Sequence, residues 1–116
     1  MAVLSKAATQ MFTLHASAAE TATGQSAGFN VSRFREALVE LNVTAVAGTP
    51  TLDMKIQTSD DGTDWYDMGA SFTQITGILK PAVLKLTNFG SFVRGFWTIG
   101  GSTPSFTFTM KLVAKA

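Results

Sequence analysis

Cysteine is absent from this chain of 116 residues. That absence excludes a disulfide framework, a thiol nucleophile and a zinc–thiolate centre. Charge is sparse as well: nine Lys and Arg face eight Asp and Glu, for a formal charge of +1. The basic residues are scattered, whereas a phosphate-binding face needs them clustered, so no nucleic-acid partner is expected. No uninterrupted apolar stretch of about 18 residues occurs, so no membrane-spanning helix and no membrane partner are expected. Histidine occurs once, at His15. Without a second His or a Cys it lacks the partner that a metal site or an activated nucleophile requires, and it reads as a surface residue on the polar side of the first strand. The opening run "MAVLSKAATQMFTLHASAAE" has Lys6 and small residues at Ala16–Ala18, the outline of a secretory leader. Thr9, Gln10 and Thr13 interrupt the apolar centre such a leader needs, so none is expected.

What remains is apolar and evenly spread. A hydrophobic share of 46% against 15% charged residues separates the chain from disordered types. Its length suits one domain, with roughly 65% of the unfolded surface buried on folding. The surface must then be rich in Thr, Ser, Ala and Gly, as suits a subunit lodged in an assembly.

Apolar and polar residues alternate along most of the chain. Phe12, Leu14, Ala16 and Ala18 share one face; so do Val39, Leu41, Val43 and Ala45, and Leu52, Met54 and Ile56. Val93, Gly95, Trp97 and Ile99 form another set, as do Phe106, Phe108, Met110 and Leu112. Successive strand side chains point to opposite faces, so each run predicts a strand buried on one side. The stretch "SRFREALVELN" has helix formers and a Ser cap, yet its continuation through Val43 and Ala45 fits a strand. A turn or bend near Arg33 to Glu36 therefore leads into that strand, with a single helical turn as the alternative.

Breakers recur at "ATGQSAG", "AGTP", "SDDGT", "TGILKP", "TNFGS" and "IGGSTP". Together they predict an all-β fold, an antiparallel two-sheet sandwich of about seven or eight strands. Jelly-roll and immunoglobulin-like arrangements fit equally. Residues 1–10 read as an N-terminal arm and 11–116 as a single sandwich domain.

One acidic cluster stands out, "SDDGTDWYD". Asp61-Gly62 is a hairpin signal, because Gly accepts a positive φ cheaply and Asp bonds its own backbone. Asp60, Asp61, Gly62 and Trp65 are accordingly read as a structural turn with an aromatic anchor, Tyr66 pointing the other way. Asp60, Asp61, Asp64 and Asp67 would also supply oxygen ligands for calcium, but their spacing departs from an EF-hand and no bidentate Glu follows. Acids bunched on one turn do not span a cleft as a hydrolytic pair must. Ser residues lack a G-x-S-x-G elbow, and the glycines of "GFNVSRF" and "TIGGST" precede no phosphate-cradling helix. No catalytic residue, cofactor or metal is expected. Arg33, Arg35 and Arg94 are left for pairing with acids on neighbouring strands or subunits.

Two features point toward contacts. Phe96 faces away from Trp97, and Phe34, Phe89 and Phe92 crowd the turns. Such residues either form an exposed apolar patch, the usual mark of a partner surface, or pack beneath loops. The arm "MAVLSKAATQ", with Val3 and Leu4, is either frayed or adds a strand to a neighbour.

The runs "LDMKIQTSDDGTDWYDMGASFTQIT" and "FGSFVRGFWTIGGSTPSFTFTMKLV" resemble a family of small tailed-phage virion proteins. Those carry an S-x-D-G-x-x-W-Y-D turn, a V-R-x-x-W strand and a G-G-x-T-P-S-F-T-F ending, and the likeness spans residues 29–114. Gly95 departs from the β-branched residue expected there and suggests a bulge. The resemblance implies a structural β-sandwich subunit of a virion, assembled in the host cytoplasm. A capsid decoration or cement protein contacting the major capsid protein, as a trimer, is the first expectation; a neck or tail subunit is the alternative. The same turn followed by a V-R strand is also similar to galactose-binding-like jelly rolls, which would make Tyr66 or Phe96 a glycan platform.

Overall fold

The computed structural model describes residues 9–116. Within them the chain forms seven β-strands and no helix: β1 (Thr9–Glu20), β2 (Gly24–Gln25), β3 (Phe29–Asn30), β4 (Glu36–Ser59), β5 (Tyr66–Ser71), β6 (Leu79–Thr87) and β7 (Phe92–Lys115). All pairings are antiparallel. The helical alternative after Ser32 gives way to a turn in which Phe34 N–H donates to the Val31 carbonyl at 3.0 Å. From Glu36 onward the strand is paired on both sides, to Thr87 of β6 and Lys115 of β7, and these ladders override local helix propensity.

Two of these strands organise the rest. β4 and β7 are each 24 residues long and pair along almost their whole length, from Glu36↔Lys115 to Ser59↔Phe92. A flat strand of that length would extend about 80 Å at ~3.3 Å per residue, yet the longest dimension of the molecule is 57 Å. The ladder bends instead. "AGTP" and "IGGSTP", which read as strand breaks, lie opposite one another in the pairing Thr49↔Ser102 and Pro50↔Gly101. Both strands turn the same corner together, with Gly48 (φ 76°), Gly101 (φ 102°) and Thr103 (φ 43°) in left-handed conformations. Gly48 and Gly101 admit no side chain there, because the facing carbonyls of Thr103 and Thr49 occupy the space.

The bend folds one continuous sheet into two facing layers. The first holds β1, the later half of β7, the earlier half of β4, and β6. The second holds β2 and β3, the earlier half of β7, the later half of β4, and β5. This is an antiparallel β-sandwich whose layers share their central strands. β5 and β6 each pair with β4 alone, so that side is unclosed.

The core lies between the layers. Val39, Leu41 and Val43 of the first layer face Leu52, Met54, Ile56 and Val93 of the second, with Phe106, Phe108, Met110 and Leu112 completing it. Burying each large side chain contributes about 1.5–3 kcal/mol. Gly95 sits in an unbroken register opposite Ile56, so the expected bulge is absent. The small residue leaves room for the Met110 methyl, which occupies the space a side chain would fill. β1 departs from its predicted alternation: Leu14 is buried, while Ala16 and Ala18 are exposed, because register shifts fall between Thr13 and His15 and between His15 and Ala18.

Candidate functional site

The loop after β4 is built on hydrogen bonds. Asp61 Oδ1 accepts from the N–H of Thr63 (2.8 Å), the N–H of Asp64 (2.9 Å) and the Ser59 hydroxyl (3.0 Å). Ser59 Oγ in turn accepts from Gly62 N–H at 2.8 Å. The Asp64 and Thr63 amides, then the Ser59 hydroxyl, hold the Asp61 carboxyl below the usual aspartate range. Gly62, at φ 80°, takes the left-handed position, and the Phe92 ring lies against it. Gly90 is pressed against Asp60 and donates to Thr58 Oγ1 at 2.7 Å, while that hydroxyl donates to the Phe92 carbonyl at 2.9 Å. Asp61 thus spends its carboxylate on the backbone of its own loop. Among the described residues no group of three or more His, Cys, Asp or Glu is placed to hold a metal ion.

Trp65 leaves this loop and lies on the outer face of the second layer. Its six-membered ring rests on Gly28, where a Cβ atom would stand 2.7 Å from the indole carbons. The Arg94 guanidinium carbon is 4.4 Å from the indole centroid. Arg94 Nε donates to Gln57 Oε1 at 2.8 Å, and Gln57 Nε2 donates to Asp67 Oδ1 at 3.0 Å. Lys55 Nζ donates to Asp67 Oδ2 at 2.9 Å and stands 5.2 Å from the Phe96 centroid. The register dictates this row, since Asp67, Gln57 and Arg94 are direct cross-strand neighbours, as are Lys55 and Phe96. Hydrogen bonds from Gln57 and then Lys55 hold Asp67 below the usual carboxylate range, and partial burial pulls Arg94 below the usual arginine value. The row ties three strands and the β3 margin together. An exposed ion pair of this kind is screened by solvent and adds little to stability.

Of the residues singled out from the sequence, Arg94, Phe96 and Trp65 meet on this face. Tyr66 does not join them: it pairs with Thr58, on the opposite face from Asp67, and is exposed at the margin. Val3 and Leu4 lie outside the described residues. His15 is not a surface residue, since its side chain is 9% exposed and is stacked on Phe108 at 3.9 Å. The bulges of β1 turn it inward. Every Phe is buried or half-buried, which fits the packed alternative rather than an exposed patch. Among the described residues, the exposed large apolar side chains are Met11, Tyr66, Ile78 and Val83. Ile78 and Val83 flank a shallow groove with Phe72, Leu79 and Ala82 beside edge strand β6. Sequence pattern does not single them out, because Val83 sits in a run of apolar residues and the breaker "TGILKP" hides Ile78.

No protein-family model and no curated protein matches the sequence. Solved structures do share the fold. The SPBc2 prophage-derived protein YomS matches with a TM-score of 0.55 at 17% identity, covering 93% of each chain. The PBSX exported protein XepA matches with a TM-score of 0.64 at 13% identity over 92% of this chain. This chain spans 37% of XepA's length. The bent two-layer sheet is therefore an architecture also found in a prophage-derived protein and in an exported protein.

Proposed function

We propose that this protein is a non-enzymatic structural subunit of a phage particle, and specifically a capsid decoration protein that cements neighbouring shell subunits. The observation that carries the reading is the end-to-end fold likeness to a prophage-derived protein of matching length, 93% of each chain. The phage-virion resemblance of the acidic turn and the G-G-x-T-P-S-F-T-F ending agrees with it. The loop chemistry supports the same reading, because Asp61 of that turn is committed to backbone amides rather than directed at a substrate. The exposed Ile78 and Val83 beside β6, at 73% and 56% exposure, supply an apolar contact surface suited to burial against a shell. Binding to the assembled shell alone stabilises that state by mass action. A trimer follows as the oligomer that matches local shell symmetry.

The test is reconstitution on emptied, expanded capsids together with quantification of copies per virion. The expected result is saturable binding at a copy number commensurate with the shell subunits, weakened by the double substitution Ile78→Ser and Val83→Ser. A copy number equal to a single ring would place the protein at the neck or tail instead. A monomer that binds no capsid and is absent from virions would overturn the structural role altogether.

A further inference from the structure

His15 lies inside an aromatic corner formed with β7. Its ring stacks on Phe108 at 3.9 Å and 18°, and meets the edge of Trp97 at 5.2 Å and 83°. Both ring nitrogens face oxygen. Nδ1 is 2.9 Å from the Phe108 carbonyl, and Nε2 is 2.8 Å from Glu20 Oε2. A carbonyl oxygen can only accept, so Nδ1 carries a hydrogen. An ionised carboxylate also only accepts, so a second hydrogen must lie between Nε2 and Oε2. The pair is either imidazolium with carboxylate or neutral imidazole with carboxylic acid. In both forms it holds one proton more than a neutral imidazole beside a carboxylate.

We infer that His15 and Glu20 form a proton-dependent latch that holds the end of edge strand β1 onto β7. The stretch between them has little else to fix it. Residues 16–19 are exposed, so none anchors in the core, and two register shifts disturb the ladder between Thr13 and Ala18. The ladder resumes at Ala18↔Phe108, Ala19↔Thr107 and Glu20↔Phe106, the last of which the latch secures. Glu20 is the one titratable group within hydrogen-bond reach of either ring nitrogen among the described residues. From β7 the imidazole meets Phe108 and Trp97, and the charged Lys111 of that strand pairs instead with Thr13. When the shared proton leaves to solvent, one imidazole hydrogen remains for two acceptors, so one ring nitrogen turns a lone pair toward an oxygen, and the chain of contacts from Glu20 through His15 to the Phe108 carbonyl breaks at that link. The latched state binds the extra proton, so it is favoured at low pH and lost as pH rises and that proton leaves. Opening uncovers the β7 margin opposite residues 106–108 for pairing with another chain.

Nuclear magnetic resonance of the intact protein tests this. Ring-nitrogen shifts of His15 report its protonation, and amide protection factors of residues 18–20 report the latch. Protection is expected to fall at least about tenfold as pH passes the His15 midpoint, the loss of one hydrogen bond to a charged group. Glu20→Gln should keep the strand protected on both sides of that midpoint, because the carboxamide can donate to a neutral Nε2 or accept from a protonated one. Glu20→Ala should leave it open throughout. Protection that is unchanged across the His15 midpoint in the parent protein would overturn the latch. So would a Glu20→Ala variant that retains the parent profile, or a Glu20→Gln variant that loses protection as the parent does.

Discussion

Met110 lays its terminal methyl against the backbone of Gly95, two residues of one strand that meet across the interior of the fold. The contact exists only because β7 doubles back at its corner. A methyl added at residue 95 would occupy the same volume, so Gly95→Ala should destabilise the protein by about 1–3 kcal/mol, the usual cost of overpacking. Met110→Ala alone should cost about 2–5 kcal/mol by opening a cavity. The double variant should be less destabilised than the two losses added together, since each change relieves part of the other's defect. Urea denaturation of the four proteins measures the coupling, and strict additivity would deny the contact.

A graded series of glycine substitutions tests the corner. Gly77→Ala should be close to neutral, since its φ is ordinary and open space surrounds it. Gly69, at φ 79° with nothing within 4 Å, should incur only the backbone cost, about 1–2 kcal/mol. Gly48→Ala and Gly101→Ala should exceed both, because strained φ and a clash with facing carbonyls act together. Thermal midpoints that do not follow this order would show that the ladder can bend elsewhere.

The acidic loop has a definite pH signature. Asp61 is held below the usual carboxylate range by the Asp64 and Thr63 amides, so its ionised form belongs to the folded state. A depressed folded value contributes stability that is present above the unfolded value, about 3.9, and lost as pH falls through the folded one. Asp61→Asn should flatten the decline in thermal midpoint between about pH 5 and pH 2, while retaining an acceptor for both amides. Asp61→Ala should lower the midpoint at neutral pH more than Asp64→Ala, whose side chain accepts no hydrogen bond. Equal losses from the two alanine variants would remove Asp61 from its organising role.

Much of the fold was legible as alternation. The sets Val39–Leu41–Val43, Leu52–Met54–Ile56 and Phe106–Phe108–Met110–Leu112 all line the core, as period-two reading predicts. Local turn chemistry was equally readable at Asp61-Gly62, since an Asx side chain and a left-handed glycine act within four residues. Other local signals mislead. "AGTP" and "IGGSTP" are bends within long strands rather than ends of short ones, because each lies opposite the other and the ladder continues through both. His15 was assigned to the wet side by strict alternation, and the bulges of β1 shift that assignment. Nor could the row from Trp65 through Arg94, Gln57 and Asp67 to Lys55 be foreseen, since it depends on which register joins β4 to β5 and β7.

The amino-acid order alone determined an all-β fold, most of the residues that face inward, and a backbone reversal at the acidic turn. Those properties arise from side-chain direction and backbone preference over a few neighbouring residues. Only the tertiary structure decided that one sheet folds over to form both layers, that the Met110 methyl fills the space over Gly95, and that Trp65 reaches Gly28 while His15 reaches Glu20. Each depends on register and on the bend at Gly48 and Gly101, and register is settled by burial summed along the whole ladder rather than by any short stretch of chain.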